Sequence, residues 1–216
     1  MAPQRRRALA AALALLVLAG GAGFYAVERR GAQAELTLPA GSTLEAAQLE
    51  ALRPLPDFTL ERLGAPLTAA ELRGRWSFVF FGYTNCPDAC PQTLGLLGHV
   101  QEALRAQQLP VPRVVFVSLD PQRDTPQVLH DYLAAFDADA LGATGSPQAL
   151  HDLLGYFGVS VERKEGAGPA GYTLDHTANL FLVTPDGRWL ATFGPSADPE
   201  AVLADTQALL RARLPG

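Results

Sequence analysis

Phe78-Val79-Phe80-Phe81-Gly82-Tyr83-Thr84-Asn85-Cys86-Pro87-Asp88-Ala89-Cys90-Pro91 decides how the rest of the chain is read. The apolar run from Trp76 to Phe81 predicts a strand buried on both faces. Gly82 ends it, and a loop follows that carries the only two cysteines of the chain, four residues apart. Proline has no N–H to donate and is tolerated in a helix's first turn. The spacing therefore predicts a helix starting near Asp88, capped by its carboxylate, with Pro91 in the first turn. Cys86 then lies on the loop, and Cys90 at the N-terminus of a helix running through Leu94, Leu97 and Leu104.

That placement has chemical consequences. The positive end of a helix lowers a thiol's pKa, which predicts an activated thiolate at Cys90. Side chains four residues apart on a helical turn stand about 5–6 Å apart at Cβ. Two such sulfurs can share a metal ion or, with slight adjustment, close a disulfide. A purely structural disulfide, or two inert buried thiols, is the plainer alternative. A close pair flanked by prolines at a strand-to-helix junction favours redox or metal chemistry.

Working outward, 216 residues suffice for one domain plus extras. With 48% hydrophobic and 18% charged residues, there is enough apolar material for a core. The net charge of -5, with no basic cluster beyond the N-terminus, argues against nucleic-acid binding. At that terminus Arg5, Arg6 and Arg7 precede an uncharged segment, residues 8–27, closed by Glu28-Arg29-Arg30. Twenty helical residues rise about 30 Å, the thickness of a bilayer's hydrocarbon core. Residues 1–30 are therefore expected to be a single-pass anchor in a bacterial-type cytoplasmic membrane. The arginines keep the N-terminus inside, and the domain lies on the outer, extracytoplasmic side. A cleaved signal peptide is the rival, because Ala32-Gln33-Ala34 resembles a cleavage site. Either way the cysteines leave the cytoplasm, where they need a disulfide state or a bound metal.

Residues 31–53 read as a linker, with a short helix around Leu44 to Leu52, and 54–216 as the folded domain. A helical turn is expected over Thr68–Leu72 and a second strand over Val114–Ser118. Asp124 is expected to cap a helix over Thr125–Phe136, and Ser146 another through Leu154. Val159–Arg163 alternates like a strand. Ala178–Thr184 and Arg188–Phe193 form a hairpin across Pro185-Asp186-Gly187, and a last helix spans Pro199–Arg213. Early alternation of strands and helices, then a hairpin and a helix, predicts an α/β fold: a mixed central sheet flanked by helices. A cysteine pair at a helix N-terminus after an early buried strand is the arrangement of the thioredoxin superfamily.

Four segments in order resemble the Sco (SenC) proteins, membrane-anchored thioredoxin-fold copper chaperones for cytochrome c oxidase. They are Phe81 to Pro91, Ser118-Leu119-Asp120-Pro121-Gln122-Arg123-Asp124-Thr125-Pro126, Tyr172-Thr173-Leu174-Asp175-His176-Thr177, and Leu182-Val183-Thr184-Pro185-Asp186-Gly187. The resemblance covers about residues 55–213 and implies a copper ion, Cu(I) or Cu(II), held by Cys86, Cys90 and His176. Soft thiolates suit Cu(I), and imidazole also accommodates Cu(II). It implies delivery to the binuclear copper site of cytochrome c oxidase subunit II, with another periplasmic copper chaperone as a candidate further partner. Asp120 is implicated near the copper site, orienting a ligand or engaging a partner, although a turn-forming Asp-Pro explains it as well. Asp175 could fix the imidazole from behind. Asn85 departs from the pattern, since an aromatic is common there in relatives.

His99, His130 and His151 fall on expected helices without a cysteine nearby and are not expected as ligands. The main alternative function is an exported thiol–disulfide oxidoreductase that reduces the cysteines of the oxidase copper site. Against it stand the C-x3-C spacing, where thioredoxins use C-x2-C, and a histidine that disulfide exchange does not need. A peroxiredoxin-like peroxidase lacks a distinct resolving cysteine, and structural zinc usually wants four protein ligands where three are offered.

Overall fold

The computed structural model describes residues 36–137, 139–166 and 171–214. The expected membrane anchor, residues 1–30, lies outside the described residues. Among those described, no helix is long and apolar enough to cross a membrane. The chain divides into two compact units. In the smaller, residues 1–38 and 212–216, the described part is an antiparallel bridge in which Thr37 and Arg213 exchange backbone hydrogen bonds. The larger, Pro39–Arg211, carries all the elements that follow.

Its centre is β4 (Ser77–Gly82), every residue of which is buried, as the apolar run predicts. Parallel to it lies β5 (Arg113–Ser118), and parallel to β5 lies β6 (Leu141–Ala143). On the other side β9 (Leu180–Val183) pairs antiparallel with β4, and β10 (Arg188–Phe193) with β9. The expected hairpin is therefore present, and the sheet is mixed. Alternation along β4 divides the core. Phe81 packs with Phe157 and Phe181, which in turn meet Trp189, on one face. Phe80 meets Phe116, and Phe78 meets Phe193, on the other.

Helices cover both faces. α1 (Ala89–Ala106) buries Cys90, Leu94, Leu97, Val100 and Leu104 at helical spacing. α2 (Pro126–Leu133) packs on β6, and α4 (Pro199–Arg211) packs beside α1. α3 (Pro147–Phe157) covers the opposite face, and its N-cap Ser146 accepts the Ala149 N–H at 3.3 Å, as expected. Beside the sheet, β2 (Thr59–Leu60) pairs with β3 (Leu67–Thr68), and a 3-10 turn follows over Ala69–Leu72. β7 (Val161–Glu165) and β8 (Tyr172–His176) form a separate two-stranded ribbon. The mixed sheet between helical layers is consistent with a thioredoxin-like fold.

Two local expectations are corrected. Residues 44–52 are not a helix in a linker: Ala47–Pro54 is β1, the edge strand paired antiparallel with β10. Pairing outweighs local propensity here, and a register shift between Leu49 and Arg53, with Leu52 at φ 51°, absorbs the irregular pattern. The buried Asp205 of α4 fixes the strand's start by accepting the N–H groups of Glu45, Ala46 and Ala47. Asp124 does not cap α2. Thr125 does, accepting the Val128 N–H at 3.3 Å, and Asp124 turns inward.

Candidate functional site

The strand that positions the cysteines ends at Gly82. A Cβ there would stand 2.5 Å from Cys90 Sγ and 2.9 Å from the Phe116 ring. Only glycine lets this sulfur lie against the end of β4. Cys90 is accordingly buried, 2% exposed, while Cys86 on the loop is half-buried. Both are free thiols, and the Cys90 N–H donates to Cys86 Sγ at 3.5 Å.

This geometry reverses the expected roles of the two thiols. The first turn of α1 aims its N–H at Cys86, so the positive helix end acts on that sulfur. Asp88 makes no capping bond; its carboxylate accepts the Gln92 side-chain amide instead. The Cys86 thiol is pulled down to about 5, first by the hydrogen bond from Cys90, with help from the backbone N–H groups and the charge of His176. The Cys90 thiol is pushed up, first by sharing its proton with Cys86 and then by burial. The thiolate at neutral pH is therefore Cys86, the more accessible of the pair.

Asp124, 0% exposed, ties the cysteine loop to β5. It accepts the Thr84 N–H at 2.9 Å, the Thr84 hydroxyl at 2.6 Å and the Ser118 hydroxyl at 2.5 Å. Asp120, at the end of β5 as expected, is also buried. It accepts the Tyr172 hydroxyl at 2.7 Å and a hydrogen bond from Arg123 Nε. Arg123 and Arg163 stand 3.7 and 3.5 Å from the Tyr172 ring centroid. Residues 120–124 thus hold the cysteine loop through Asp124 and the β7–β8 ribbon through Asp120. Thr84, Ser118, Asp124 and Tyr172 were missed as site residues. Only their places inside the family-like segments could have flagged them, because no local pattern distinguishes a tether from a cap.

His176 lies at the end of β8, half-buried, with its ring edge-on to Tyr83 at 6.3 Å and 77°. Its Nδ1 lies 3.1 Å from the Thr177 carbonyl. In the neutral ring with Nδ1 donating there, Nε2 keeps the lone pair that a metal needs; only the protonated ring carries the charge that favours the Cys86 thiolate. Asp175 is exposed, and the carbonyl rather than this carboxylate is the partner of Nδ1. His176 is close enough for its charge to act on Cys86. Even so, among the described residues no three His, Cys, Asp or Glu side chains are gathered tightly enough to hold a metal ion. The structure brings Cys86 and Cys90 together and leaves the imidazole beside Tyr83, on a ribbon outside the main sheet. His99 is exposed and 3.5 Å from Glu200, while His130 and His151 line other clefts. Asn85 is exposed beside Cys86.

Known proteins resemble this chain in sequence and fold. Protein SCO2, mitochondrial, of Saccharomyces cerevisiae is 30% identical over 207 residues, covering 95% of this chain and 67% of that protein. The SCO2-like protein of Rickettsia felis is 33% identical over 149 residues, covering 68% and 72%. Among solved structures, apo Sco1 from Thermus thermophilus superposes with a TM-score of 0.68 at 37% identity, covering 79% of this chain and 99% of that one. Copper-bound ScoI from Arabidopsis thaliana superposes with a TM-score of 0.69 at 29% identity, covering 72% and 97%. The SCO1/SenC family model matches residues 47–211, from the first strand of the sheet to the end of the last helix. On that match, and with its cysteine loop and thioredoxin-like sheet, the chain belongs to the SCO1/SenC family.

Proposed function

We propose that this protein is a membrane-anchored copper carrier that binds one copper ion through Cys86, Cys90 and His176. It passes the ion to the binuclear copper site of cytochrome c oxidase subunit II on the outer face of the membrane. The observation that carries the proposal is the cysteine pair, one thiolate and one thiol in hydrogen-bond contact at the mouth of α1. Relatives whose structures hold bound copper support copper as the cargo. Thiolate sulfur is soft and suits Cu(I), and imidazole nitrogen completes a set that also tolerates Cu(II). Cys86 is charged before the metal arrives, so it binds first. Cys90 gives up its proton on binding, and the imidazole closes from the ribbon side. Three ligands leave one side open, where a recipient's ligand can displace the histidine before the sulfurs let go.

Copper titration with X-ray absorption on the reduced protein tests this. One copper per chain with two sulfur neighbours and one imidazole is expected. Undiminished affinity in Cys86→Ser or His176→Ala would overturn it.

The half-buried Cys86 thiolate favours a second activity for the same pair. It can attack a partner's disulfide, forming a mixed disulfide and releasing one partner thiolate. Cys90, deprotonated, then attacks Cys86, and the partner leaves as a dithiol while Cys86–Cys90 becomes the disulfide. Dithiol turnover that survives His176→Ala would separate this activity from copper transfer.

A further inference from the structure

At the end of the sheet away from the cysteines, three arginines converge on one cleft. β4 and β5 run parallel with Ser77 beside Arg113, and the cysteine loop leaves β4 at its other end. Arg75, two residues before β4, and Arg113, the first of β5, therefore share this end. Arg62 joins them because Glu61 pairs antiparallel with Thr144, which sends the next residues back along β6 towards Leu141. With Gly64, His130 and Asp139, these arginines line a cleft of about 530 Å³.

Charge there is poorly balanced. Asp139 is the one carboxylate in the lining among the described residues, and it is exposed. Glu71, also exposed, approaches Arg62 Nη2 only to 3.9 Å, a separation worth little in water. Arg62 Nε is buried with no hydrogen-bond partner among the described residues. Burial and the charge of Arg75 pull the Arg113 guanidinium below its ordinary value, against the opposing pull of Asp139 and Glu71. Like charges gathered with so little compensation cost stability unless an anion joins them. Guanidinium forks match the oxygens of phosphate, and the cleft falls within the roughly 300–1,000 Å³ range of small-molecule sites. Leu63, 40% exposed, adds an apolar wall.

We propose that this cleft binds a phosphate group carried on an ester with an apolar part. A lipid headgroup and a soluble phosphate share that chemistry, and titration calorimetry on the full chain in neutral detergent separates them. The probes are inorganic phosphate, dihexanoyl phosphatidylglycerol below its micelle concentration, and dihexanoylglycerol, which lacks the phosphate. Saturable binding of the phosphatidylglycerol is expected, weakened about tenfold or more in Arg75→Ala and Arg113→Ala. Tighter binding of the lipid than of inorganic phosphate is expected and identifies a headgroup-like ester; equal binding shows that the apolar part is not recognised and overturns the proposal. Because Arg75 is exposed on a loop, its variant keeps the test valid if Arg113→Ala fails to fold. The proposal is overturned if neither phosphate probe binds, if dihexanoylglycerol binds as tightly as the lipid, or if binding is unchanged in Arg75→Ala.

Discussion

Cys90 is 2% exposed, its sulfur set against Gly82 at the end of β4, whereas every residue of β7 is exposed and, among the described residues, β8 pairs with no strand but β7. The two halves of the candidate site are held in different ways. The cysteine loop hangs from a strand buried at every residue and is clamped by a carboxylate with three hydrogen bonds. The histidine rides on a two-stranded ribbon tethered by the Tyr172–Asp120 bond and the contacts of Ser160 with Thr177. A two-stranded ribbon alone is marginal in water, so its few tethers set where the imidazole can go. The difference suggests a site with one preorganised half and one that closes. It fits a carrier, which must hold its cargo and still release it.

The comparison can be broken or sharpened by experiment. The largest effect is expected for Cys86→Ser, which removes the pre-charged ligand; copper stoichiometry measured after desalting should fall from one per chain to near zero. Next comes Asp124→Ala, which leaves the Thr84 N–H and the hydroxyl protons of Thr84 and Ser118 without their acceptor. About 2–4 kcal/mol of stability should be lost in urea titration, with copper affinity falling alongside. Tyr172→Phe removes only the ribbon's tether to Asp120. Its copper affinity should fall about fivefold, the worth of roughly 1 kcal/mol, with the two-sulfur signal in X-ray absorption intact. If Tyr172→Phe proved as damaging as Asp124→Ala, the ribbon would be as fixed as the loop and the contrast would fail.

The smallest change concerns pH alone. With the Cys86 thiol at about 5, its alkylation rate should stay flat from pH 8 to about 6 and fall only as pH drops through 5. Because the folded value lies below the unfolded one, this group's stabilising contribution is full above the unfolded thiol's range. It shrinks as pH falls towards 5. Cys90 should stay unmodified over the same range, its proton held by Cys86 and its side chain buried. Mass spectrometry of the alkylated peptides distinguishes the two sites.

Local pattern alone made β4, α1, the β9–β10 hairpin and the Ser146 cap legible, because a buried strand, a helical stripe and a turn each leave a periodic or chemical mark within a few residues. The cysteine pair was legible for the same reason: both members sit in one short segment. The partition of charge between them was not. It depends on Gly82 letting the Cys90 sulfur into the core and on α1 aiming its N–H at Cys86. Local pattern also misread Asp124, since a carboxylate before a helix looks like a cap until a distant loop offers it better donors. Residues 44–54 failed as a helix because their partner, β10, lies some 140 residues away in sequence.

By itself, then, the sequence determined the sheet's central strand, the helix that bears the cysteines, and the family through the order of its segments. Only tertiary structure decided which thiol is charged, which carboxylate clamps the loop, and that His176 sits on a ribbon apart from the sheet. Periodicity and turn chemistry are encoded between near neighbours. Burial, hydrogen-bond partners and the electrostatics of a thiol come into being only when segments far apart in the chain are packed together.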